Sequence, residues 1–187
     1  AYYRAGEGNG RRLLLIHGNV SSGAFYLPLF DQLSQRFDVI APDLRCFGGS
    51  SALPVDAARG FRDWTEDLAE FTAALGWDRF ALAGWSMGGC VAMQYAMDHG
   101  EQLTGLILIN PGSPYGFGGT KGEDGVMLEP PGLASGGGCV NAQLVQSLLS
   151  GEREFLRATL NSVYFKPPFR MDSQWEERLI DEMLKTK

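Results

Sequence analysis

The sequence predicts an α/β protein, a mostly parallel sheet with helices on both faces. Three observations carry this. Continuous apolar runs such as Leu13-Leu14-Leu15-Ile16 and Leu106-Ile107-Leu108-Ile109 read as strands covered on both faces. Stretches with apolar residues at helical spacing alternate with those runs. A serine, Ser86, stands between one such run and one such stretch, with glycine on both sides.

The elements follow in order. Ala1 to Gly6 reads as a strand with no turn or methionine before it, so the chain is expected to begin partway into a protein. Residues 11–16 form a buried strand ending in His17-Gly18-Asn19. Pro28 then stands near the start of a helix with apolar positions Leu29, Phe30, Leu33 and Phe37. Asp38 to Ala41 is the next strand, stopped by Pro42, and a loop from Asp43 to Ser50 follows. A helix is expected from about Asp63, with Glu66 three residues on as in a capping box. Its stripe is Trp64, Leu68, Phe71 and Leu75, and Gly76 ends it. Arg79 to Ala83 is a short strand, and Val91, Ala92, Tyr95 and Ala96 mark the helix after Ser86. Leu106 to Ile109 is one more buried strand. Past Pro111 the pattern changes. Residues 112–138 are rich in glycine and proline, a hinge or a disordered stretch. Helical segments follow near 140–150, 152–165 and 172–185. This divides the chain into an α/β core over 1–112 and a helical insertion over 113–187.

Gly84-Trp85-Ser86-Met87-Gly88 has a physical reason. A sharp strand-to-helix junction strains the serine backbone, and side chains two positions away would collide there. This is the G-x-S-x-G nucleophile elbow, which exposes the hydroxyl beside a helix N-terminus. Gly89 reads as a packing residue that lets the helix approach the sheet.

Composition narrows the function classes. The net charge of −6 argues against a nucleic-acid partner. No apolar run is long enough to span a membrane, and the start is not a signal peptide. Cys46, Cys90 and Cys139 are too widely spaced for a metal site and read as free thiols, which places the protein in a reducing, cytoplasmic compartment. With only two histidines, neither a zinc site nor another metal or cofactor site is expected. The expected partner is a small-molecule substrate. Nothing in the sequence speaks to oligomeric state.

Three motifs together resemble the α/β-hydrolase-fold family of serine hydrolases. His17-Gly18-Asn19 is similar to the family's H-G-x turn. Asp43 to Ser50 is similar to its D-x-R-G-x-G-x-S loop, and Gly84 to Gly89 to its elbow. The resemblance implies an α/β-hydrolase fold with 113–187 as a helical cap or lid. It implies an esterase or lactonase acting through an acyl-enzyme, with Ser86 as nucleophile. The Met87 and Asn19 N–H groups would be the oxyanion donors. His17 and Gly18 would support the turn, as Gly84, Trp85, Gly88 and Gly89 would support the elbow. Dehalogenases and epoxide hydrolases of the family need an aspartate where Ser86 stands. Cys46 replaces a usual glycine, which strains the loop if its φ is positive. Tyr164, Phe165, Phe169 and Trp175 either line a substrate pocket or form the cap's own core.

The resemblance also implies a late histidine and an acid, and neither is present. No histidine follows His99, and the position after the strand ending at Ile109 is Asn110. The expectation is that the sheet's last strands, the acid and the base lie in a continuation of the chain. A relative without hydrolytic turnover, or one with C–C hydrolase, perhydrolase or lyase chemistry, is the alternative.

Overall fold

A computed structural model describes residues 1–112, 120–121, 126–127 and 141–187. Cys139 lies outside these residues, as does the stretch expected to be a hinge or disordered, apart from Gly112 and two short strands. The core elements are β1 (Tyr2–Ala5), β2 (Arg12–Ile16), α1 (Leu27–Leu33), β3 (Asp38–Pro42), α2 (Arg62–Ala74), β4 (Phe80–Trp85), α3 (Met87–His99) and β5 (Leu103–Ile109). Two-residue strands β6 (Thr120–Lys121) and β7 (Val126–Met127) pair with each other, in a stretch where the sequence showed no period. Helices α4 (Ala142–Ser150), α5 (Arg153–Thr159) and α6 (Ser173–Met183) complete the described chain.

The sheet order is β1-β3-β2-β4-β5. Strands β2 to β5 run parallel, and β1 pairs antiparallel with β3 at one edge. Strand periodicity explains the unbroken apolar runs. Leu14, Ile16, Ile40 and Leu82 point to the face covered by α2 and α3, packing on Leu68, Val91 and Tyr95. Leu13, Leu15, Val39 and Ala83 point to the other face, against Tyr26 and Phe30. Each fully buried leucine or isoleucine among them contributes about 2 kcal/mol.

Several expectations are corrected. Leu29 was expected in the core but is 47% exposed, because α1 turns Phe30 inward instead. Helix α2 starts one residue early, and its N-cap Phe61 makes no side-chain bond. The Asp63 carboxylate accepts from the Asp56 N–H and Arg59 rather than capping the helix. Strand β5 was expected to be buried, yet Leu106 to Ile109 are each about 40–50% exposed. It pairs only with β4, and among the described residues no element lies beyond it.

The C-terminal helices enclose their own apolar cluster of Leu156, Leu160, Leu179, Ile180 and Met183, and Val20 of the core is buried in it. Arg153 and Arg157 reach from α5 to Glu176, Glu177 and Asp181 of α6. These pairs are half-buried to exposed, and each adds about 1 kcal/mol or less.

Candidate active site

Strand β4 delivers the chain to Ser86 and α3 takes it away within one residue. Ser86 has φ 54° and ψ −124°, and its hydroxyl does not cap the helix. The glycines are explained by contact. A Cβ on Gly84 would lie 2.2 Å from the Gly88 carbonyl oxygen, and one on Gly88 would lie 2.3 Å from the Ile16 and His17 carbonyl oxygens. Gly89 faces the loop after β5 more closely than the sheet, since a Cβ there would sit 2.7 Å from the Pro111 side chain. The Ser86 carbonyl accepts from Gly89 and from Gly112. Met87, as the first residue of α3, has no intrahelical acceptor for its N–H.

The His17-Gly18-Asn19 turn lies directly beside this serine. A Cβ on Gly18 would be 3.1 Å from the Ser86 Cβ and 3.2 Å from the Trp85 ring. His17 is fully buried, and its Nε2 accepts the Leu44 N–H at 3.0 Å. The proton therefore sits on Nδ1, which donates to the Gly18 carbonyl at 2.8 Å. Burial pushes its pKa down to about 4, against weaker opposing effects of that carbonyl, Asp43 and Glu182. Both ring nitrogens are used in bracing the loops. Asp43 ties the same two loops, accepting from Gly23 and Gly49, each at 2.8 Å. Cys46 has φ 71°, the left-handed backbone for which a glycine is suited.

Of the four aromatic residues singled out in the sequence, only Tyr164 reaches this region. Its ring lies 5.6 Å from Trp85 and 6.0 Å from Phe25. Phe165 and Phe169 pair with each other, and Trp175 lies under Arg178. Sequence reasoning missed Val20, Ser22, Phe25 and Glu182. Ser22 donates to Glu182 across 160 residues at 2.7 Å, and no local signal announces such a pair.

His99 ends α3, thirteen residues along a helix that rises 1.5 Å per residue, so it stands about 20 Å from Ser86. It packs on Tyr95 instead, with ring centres 4.9 Å apart. Asn110 follows β5 with φ 43°. Among the described residues no cluster of three or more His, Cys, Asp or Glu is placed to hold a metal ion, and no helix is long and apolar enough to cross a membrane.

The sequence model of the alpha/beta hydrolase fold matches residues 11–135. The chain belongs to the α/β-hydrolase-fold family. It is 37% identical over 108 residues to a probable 1-acylglycerol-3-phosphate O-acyltransferase of Oryza sativa subsp. japonica, covering 56% of this chain and 26% of that protein. It is 30% identical over 139 residues to epoxide hydrolase 3 of Xenopus tropicalis, covering 72% of this chain and 35% of that protein. The chain thus spans about a third or less of the length of these curated relatives. The crystal structure of a putative aryl esterase from Burkholderia cenocepacia superposes on all of this chain and 63% of its own, with a TM-score of 0.70 at 22% identity. That likeness is one of α/β-hydrolase fold.

Proposed function

We propose that Ser86 is the nucleophile of a serine hydrolase acting on a small ester, lactone or related carbonyl compound. The observation that carries this is the backbone of Ser86, at φ 54° and ψ −124°, with glycines forced at 84 and 88. A serine held so, with its hydroxyl free of the helix cap, is strained for a purpose other than packing. Its Oγ attacks the carbonyl carbon, and the oxyanion is held by the Asn19 and Met87 N–H groups. A base takes the hydroxyl proton and passes it to the leaving oxygen as the C–O bond breaks, so an ester releases its alcohol, a lactone keeps its hydroxyl tethered, and water then cleaves the acyl-enzyme. Residues 113–187 act as the cap over this site.

Neither of the two histidines in this sequence is placed to serve as the base for Ser86. His17 has both nitrogens engaged, and His99 is a helix length away. The serine at 86 separates this reading from epoxide opening and dehalogenation, which proceed through an alkyl ester on a carboxylate. The second reading is a relative of this fold that binds without hydrolysing. C–C hydrolase, perhydrolase and lyase chemistry use the same elbow.

The test is fluorophosphonate labelling of the full natural gene product. Wild type is expected to label and Ser86→Ala is not. No labelling of wild type overturns the hydrolase reading and leaves the binding one. A series of p-nitrophenyl esters of increasing acyl length then defines the substrate.

A further inference from the structure

The turn that carries Asn19 is strained, and the cap holds it. Val20 has φ 48°, a left-handed backbone that a β-branched residue adopts only at a cost. Its side chain is buried among Leu156, Leu160, Leu179, Ile180 and Met183 of the cap helices. The Tyr164 hydroxyl donates to the Asn19 carbonyl at 2.9 Å and reaches the Val20 carbonyl at 3.4 Å. Two residues on, the Ser22 hydroxyl donates to the buried Glu182 of α6. Within the turn, the Asn19 side chain accepts the Val20 N–H at 2.9 Å.

The cap is shaped to make this contact. After α5 the chain widens into a π-turn over Leu160–Tyr164, closed by the Phe165 N–H on the Leu160 carbonyl at 3.1 Å. Widening the turn changes the direction of the residues that follow it, and such turns recur at functional sites. Asn161 occupies the turn's inner side and donates to the Arg157 carbonyl and to Glu176. Tyr164 closes the turn and points at the core loop.

We propose that Tyr164 is a positioning residue: from the cap, it holds the Asn19–Val20 peptide in the strained shape that aims the Asn19 N–H at the oxyanion. The inference rests on the reading of Asn19 as an oxyanion donor. The held carbonyl and that N–H belong to adjacent peptide planes, so fixing one limits the rotation of the other. Burial raises the Tyr164 phenol to about 12, so the hydroxyl keeps its proton at working pH. The cap then does more than cover the site. Undocking it releases the turn.

The experiment compares wild type with Tyr164→Phe in the full natural protein. The ring is kept, so Trp85 and Phe25 retain their partner. Hydrogen exchange over residues 17–24 is expected to quicken about tenfold, while α3 is unchanged. Turnover of p-nitrophenyl esters is expected to lose about tenfold in kcat with KM within twofold, as for a donor displaced rather than removed. Unchanged exchange over 17–24 overturns the proposal. So does an unchanged kcat with a raised KM, which makes Tyr164 a substrate contact. If wild type neither labels nor turns over, the hydrolase reading fails, and the exchange comparison still decides whether the cap holds the turn.

Discussion

Gly84 and Gly88 face each other across the elbow so closely that a Cβ on the first would lie 2.2 Å from the carbonyl oxygen of the second. Gly88 is pressed in turn against the end of β2, where the Ile16 and His17 carbonyls leave no room for a methyl group. Those neighbours are backbone, and backbone of a central strand does not yield cheaply. Gly88→Val is therefore expected to cost about 3 kcal/mol or more, at or beyond the upper range for overpacking. Urea unfolding of the variant measures it. A stable and fully active Gly88→Val would falsify the elbow geometry.

His17 makes stability depend on pH. Its folded pKa is about 4, below the ordinary histidine value near 6.5. Above pH 6.5 both folded and unfolded states are neutral, and stability is flat. As pH falls from 6.5 to 4, the unfolded chain takes up a proton that the buried ring refuses. Stability drops by about 3 kcal/mol over that window and levels off below it. Unfolding of wild type and His17→Asn at pH 7, 5.5 and 4 isolates this part. The variant should be less stable throughout and should show a shallower decline. Parallel curves would remove His17 as the cause.

Cys46 is a place where the protein can be improved. At φ 71° it occupies a backbone that suits glycine, and its thiol makes one contact, to the Leu53 carbonyl at 3.1 Å. Cys46→Gly is expected to raise stability by about 0.5–1 kcal/mol, the strain relieved exceeding the entropy lost. A lower melting temperature would mean that the thiol contact outweighs the strain.

Ser22 and Glu182 join the core loop to α6. The Ser22 hydroxyl donates to the carboxylate at 2.7 Å and accepts the Ala24 N–H at 3.2 Å, and Lys185 holds the carboxylate's other oxygen. Ser22→Ala leaves a buried carboxylate short of one partner, at a cost of about 1–3 kcal/mol. Its midpoint in urea should fall, and Ser22→Thr should recover most of the loss. Equal loss in both variants would point to packing rather than the hydrogen bond.

The sequence alone determined the parts governed by near neighbours. Unbroken apolar runs and helical stripes marked β2, β3, β4 and α3, because burial on both faces leaves a local pattern. The glycines at 84 and 88 were legible because a tight turn restricts its own residues. Even the strain at Cys46 followed from one missing glycine. Tertiary structure decided the rest. How far β5 is covered depends on what lies beside it, and its apolar letters do not say. The burial of Val20 among the C-terminal helices and the Tyr164 and Glu182 contacts join residues about 130 to 160 positions apart. Such contacts are set by how the C-terminal helices dock on the loops of the core, and no periodicity within either segment encodes that docking.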